Sequence, residues 1–131
     1  MDKTELVNEQ IDAGSEFIEA FSKYEPINVA FWLNPADSEV WHLYIASKSI
    51  NDNNLDIAYG EVLRLVGSGR TMWLDAFQIR LLNSDDPLAV KAIEIRGQYP
   101  GGTRYNGSSI AGVAINAVYL YPKDMVSTIA K

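Results

Sequence analysis

Ile27-Asn-Val-Ala-Phe-Trp-Leu33, Asn34-Pro-Ala-Asp-Ser38 and Glu39-Val-Trp-His-Leu-Tyr-Ile-Ala-Ser47 together form the stretch on which the fold turns. The two outer runs are rich in β-branched and aromatic residues and flank a polar segment containing proline, the pattern of a β-hairpin. Pro35 presets its own φ, and the Asn34 side chain can bond backbone ahead of it. Side chains alternate across a strand, so Ile27, Val29, Phe31 and Leu33 share one face and Trp41, Leu43 and Ile45 share another. Pairing Phe31 with Trp41 brings these odd-numbered faces together as the core face and leaves Asn34 to Ser38 as a five-residue loop.

The even face holds Ala30, Trp32, Val40, His42, Tyr44 and Ala46, too apolar a set for plain solvent. A second layer covering it is the favoured reading, because most apolar strand residues simply pack. If all helices lie on one side, this face is open, and Trp32, His42 and Tyr44 become a dimer surface.

Working outward, residues 4–23 read as a helix. Leu6, Val7, Ile11, Phe17, Ile18 and Phe21 recur at helical spacing, and Glu5, Glu9, Asp12, Glu16 and Glu19 form a solvated stripe. Gly14 is costly in mid-helix, which points to close approach of the helix to the sheet. A second helix spans 55–66, with Gly67 as its stop. Asp75 to Leu82 reads as a third strand. Ser84-Asp-Asp-Pro87 starts a third helix that ends at Gly97. Asn106-Gly107 suggests a tight hairpin after Thr103-Arg-Tyr105. The long run to Tyr121 bends near Gly112 or Asn116, and residues 123–131 are read as a frayed tail.

The resulting expectation is a single α+β domain over 1–131, in the order α-β-β-α-β-α-β-β. It has about three helices on one mixed sheet of four to five strands, with the second and third strands parallel.

The chain is 131 residues long and carries a net charge of −6. That acidity argues against nucleic acid, whose phosphates need a basic footprint. Residues 1–62 hold 12 acidic and 3 basic side chains, whereas residues 63–131 hold 5 and 8. All five arginines lie between Arg64 and Arg104, the basis for reading a patch for an anionic ligand or an acidic partner. The chain has no cysteine, which removes disulfides, thiol nucleophiles and cysteine-held metals. No apolar leader is visible, and the apolar run Ile110 to Tyr121 is too short for a membrane span. A cytoplasmic protein is expected.

No catalytic set emerges, so the reading leans away from an enzyme. His42 is the only histidine, and no carboxylate stands at a telling spacing from it. Asp52, Asn54 and Asp56 begin a calcium-loop pattern, but Ile57 and Leu63 occupy the positions that need glycine and a closing glutamate. A polar loop capping a helix is the favoured explanation, and no metal or cofactor is expected. Gly67-Ser-Gly-Arg70-Thr and Gly101-Gly-Thr-Arg104 are glycine-rich but lack the strand–loop–helix context of a phosphate cradle.

Two functional readings follow. The first is a non-enzymatic interaction module, a homodimer or a protein with another protein partner, using Trp32, His42 and Tyr44. The second is a binder of a small anionic ligand, or a small enzyme, gripping through Arg70, Arg104, Tyr99 and Tyr105.

Overall fold

The computed structural model describes residues 6–36, 40–68, 73–98, 104–105 and 109–122. It shows α1 (Asn8–Phe21), β1 (Val29–Pro35), β2 (His42–Ser47), α2 (Leu55–Ser68), β3 (Ile79–Asn83), α3 (Pro87–Gln98), β4 (Arg104–Tyr105), β5 (Ser109–Ile110) and β6 (Val113–Leu120). Five strands form one mixed sheet in the order β3-β2-β1-β6-β4, and β5 pairs with the near end of β6. The α+β class, the element order and the parallel β2–β3 pair agree with the sequence reading.

The hairpin register differs from the expected one. Phe31 lies opposite Tyr44, and Leu33 opposite His42. That is a slip of three residues from the Phe31–Trp41 pairing, and an odd slip turns one strand's faces over relative to the other. The odd residues of β1 therefore share a side with the even residues of β2. The slip is possible because β1 runs on through Asn34 to Pro35. The buried Asn34 amide reaches forward to the Val40 carbonyl at 3.2 Å and accepts from the Asn116 amide at 2.7 Å.

Both sides of the sheet are covered. Phe17, Ile18 and Phe21 of α1 and Ala58 and Val62 of α2 pack on Ala30, Trp32, Leu43, Ile45, Ile79 and Leu81. Leu88, Ala89, Ala92 and Ile95 of α3 belong to the core with Val29, Phe31, Leu33, Ala46, Val118 and Leu120 on the opposite side. Two-sided burial explains why the hairpin reads as nearly continuous apolar sequence rather than clean alternation.

Local chemistry sets the ends of the elements. Asn54 accepts the first helical bond of α2 from the Ala58 amide at 2.9 Å, and its side chain accepts from the Asn51 amide at 2.8 Å. Asn54 thus stands at the N-cap position, but its side chain is bonded back into the loop rather than to a helix N–H. Asp86 accepts from the Leu88 amide at 2.9 Å and starts α3 beside Pro87. Ala111 and Gly112, both at positive φ, make the two-residue turn between β5 and β6. β4 pairs with the far half of β6, Arg104 opposite Tyr119, and the expected Asn106-Gly107 turn lies outside the described residues. A bulge at Asn116 interrupts the β1–β6 ladder, so the run departs from regular strand at both of the alternative positions, Gly112 and Asn116.

Candidate functional site

The residues singled out from the sequence separate in three dimensions. Trp32 does not reach the surface. It is fully buried under α1, and its indole N–H donates to the Tyr121 hydroxyl at 2.9 Å. That hydroxyl in turn donates to the Ile11 carbonyl at 2.6 Å. The expected role of Trp32 in an exposed interface is therefore corrected: α1 and α2 cover that face. His42 and Tyr44 lie on the other side of the sheet, both half-buried. Their rings meet edge to face at 6.5 Å, and Tyr44 stacks on Phe31 at 5.2 Å. Arg70 and Tyr99 lie outside the described residues, and Arg104 and Tyr105 are placed by backbone alone in β4. The remaining arginines sit on three different elements. Arg64 is exposed on α2, Arg80 is exposed on β3, and Arg96 is buried at the end of α3, donating to the Asn28 carbonyl at 3.0 Å.

What gathers around His42 and Tyr44 is the margin of the sheet. In the parallel pair Tyr44 lies opposite Arg80. Just before β3 the chain makes one 3-10 turn, Ala76–Gln78, where the sequence reading has strand. Asp75 accepts from the Phe77 amide, and Gln78 accepts from the Asp75 amide, each at 2.9 Å. The Gln78 side chain also donates to the Trp41 carbonyl at 3.2 Å, tying the turn to β2. Arg80 donates to the Phe77 carbonyl at 2.6 Å. This reciprocal capping aims Phe77 outward, and it is 82% exposed. Alternation alone places Phe77 with the core residues Ile79 and Leu81. The missed signal is Asp75 followed three residues later by Gln78, a capping box that opens a turn of helix.

β3 is an edge strand, and its free edge is occupied by side chains. The Tyr59 hydroxyl accepts from the Leu81 amide at 2.9 Å, while Arg80 covers the Phe77 and Ile79 carbonyls. An edge blunted in this way resists pairing with another strand, so contacts at this margin must be made by side chains.

Burial, and then the Arg80 guanidinium, hold the His42 pKa below the ordinary 6.5. The imidazole is thus neutral at pH 7, available to donate once and accept once. Burial, opposed by Arg80, raises the Tyr44 phenol above its usual 10.0. Among the described residues no carboxylate is hydrogen-bonded to His42. Among the described residues no three acidic or histidine side chains gather to hold a metal, and no helix is long and apolar enough to cross a membrane.

The lowered His42 pKa carries a stability consequence. The unfolded chain takes up the proton near pH 6.5, while the folded chain resists it until lower pH. Stability attributable to His42 is therefore present above 6.5 and lost as pH falls through the folded-state value. Urea midpoints between pH 7.5 and 5.5 should fall for the parent and fall less for His42→Gln. Equal slopes would show that His42 titrates as freely in the fold as out of it.

No protein-family model, curated protein or solved structure matches this chain.

Proposed function

We propose that the protein is a non-enzymatic interaction module that works as a homodimer and takes a partner polypeptide at the β2–β3 margin. The observation that carries the reading is Phe77, a large apolar side chain held out in solvent on a turn pinned by hydrogen bonds. A turn whose backbone is fixed before contact loses little entropy on binding, and aromatic and arginine anchors dominate interface energetics. The same margin offers hydrogen-bonding groups: Arg80, which donates to the Phe77 carbonyl, Tyr44 opposite it in the parallel pair, and neutral His42 edge-on to Tyr44. The partner that fits offers an apolar pocket for Phe77 and a carboxylate for the outer edge of Arg80. The same reading places the module in the cytoplasm, where a cysteine-free chain is indifferent to redox conditions.

The test is a photo-crosslinking amino acid, benzoylphenylalanine, placed at position 77 in the protein expressed in its own cell. A discrete adduct is expected there. It should be absent when the probe replaces Val90, which is also exposed but lies on α3. Adding Arg80→Glu to the probe at 77 should reduce the yield. Equal, diffuse labelling from both positions would remove the margin as a binding surface.

A further inference from the structure

We infer that the homodimer forms through α2, two copies packing antiparallel across a two-fold axis at Gly60; this rests on the homodimeric reading above. The starting point is a glycine without a purpose in the monomer. Glycine is unfavourable in mid-helix, and Gly14 has a reason to be there because Tyr121 and Trp32 fill the space its side chain would take. Among the described residues, nothing lies within 4 Å of the place a Cβ on Gly60, in the middle of α2, would occupy. It is exposed, and the reason for it lies outside the single chain.

The residues around it are symmetric in kind. Three positions to either side stand Ile57, 66% exposed, and Leu63, 62% exposed. Four positions to either side stand Asp56 and Arg64, both exposed and of opposite charge. At about 100° per residue all four lie within about 60° of the direction in which Gly60 faces. Helices that pack closely need a small residue where their backbones cross, and here that residue sits at the centre of the stripe.

A two-fold axis at Gly60 sends each position to its mirror number. Ile57 of one copy then lies level with Leu63 of the other, about 4.5 Å along the axis from the glycines, and Asp56 lies level with Arg64, about 6 Å along. Each contact occurs twice, as an isologous interface requires. A heterologous partner has no need of such a palindrome; a second copy of this chain does. The existing i,i+3 ion pair of Arg64 with Glu61 does not compete. Arg64 is exposed while Glu61 is partly buried beside it, and a guanidinium has a second edge for another carboxylate. With two aliphatic side chains per copy the buried area is small, so the dimer is weak and concentration-dependent.

Sedimentation equilibrium over a hundredfold range of concentration tests this. The parent's mass should rise from 14.6 kDa toward twice that value. Gly60→Leu improves helix propensity and meets open space in the monomer, so it folds; it blocks close approach and should weaken association at least tenfold. Arg64→Asp should weaken association several-fold, and the swap Asp56→Arg/Arg64→Asp should restore it toward the parent, because the charges again oppose across the axis. If Gly60→Leu dimerises like the parent, the α2 interface is wrong while self-association stands. A parent that stays at 14.6 kDa throughout overturns both.

Discussion

Phe31→Ala and Trp32→Ala are each expected to lower the unfolding free energy by about 3–5 kcal/mol. The two residues are adjacent in sequence and fully buried on opposite sides of the sheet. Phe31 packs in the α3-side core, where Tyr44 stacks on it; Trp32 packs under α1 and holds the Tyr121 hydroxyl. Each truncation leaves a cavity that a rigid strand cannot close, and Trp32→Ala also removes a hydrogen-bond donor from a buried hydroxyl. Losses of that size are a large fraction of the roughly 5–15 kcal/mol that holds a domain together. Urea unfolding at 25 °C provides the measurement. Glu9→Ala and Glu16→Ala, on the exposed stripe of α1, should stay within about 0.5 kcal/mol of the parent. If either core truncation were as mild, one side of the sheet would not be packed as described.

Gly14→Ala should destabilise by about 2 kcal/mol or more, although alanine is the better helix former by about 1 kcal/mol. The sign reverses because of what lies opposite. A Cβ at position 14 would fall closer to the Tyr121 oxygen than real Cβ atoms come, and at 3.0 Å from Trp32 Nε1. These are the two groups joined in the buried bridge from β1 to α1 through the Ile11 carbonyl. Alanine must push the helix off the sheet or break that bridge. Tyr121→Phe removes the obstructing hydroxyl, so Gly14→Ala should cost less in a Tyr121→Phe background than in the parent. That non-additivity, read from a double-mutant cycle, identifies steric conflict at the hydroxyl as the cause. Additive effects would place the cause elsewhere in the helix.

The parts of the fold legible in the sequence were those with a local cause. Apolar spacing located three helices, and Asp86 with Pro87 and the bend at Gly112 are short-range devices that sequence displays, although the full Ala111–Gly112 turn was not read from it. Gly14 announced a close approach because mid-helix glycine is costly. The candidate surface was half legible. His42 and Tyr44 do share a side of the sheet, but Trp32 does not share it, and Phe77 looked like a core residue. Both errors come from assuming alternation: a three-residue slip in the hairpin turned over one strand, and a 3-10 turn replaced the start of another.

The sequence by itself determined the class and order of elements, the parallel β2–β3 pair, and the acidic, cysteine-free composition of the chain. These follow from residue type and spacing, which act over a few residues. Only the tertiary structure decided which apolar residues are hidden. Whether Trp32 or Phe77 meets water depends on strand register and on helices lying on both faces of the sheet, contacts between positions as far apart as Ile11 and Tyr121. The meaning of the two glycines divides the same way. Gly14 and Gly60 look alike in a helical pattern, but Gly14 faces Trp32 and Tyr121 across a buried seam, whereas Gly60 faces open space. Hydrophobic burial has no direction of its own, so the packed fold alone selects which surface remains for a partner.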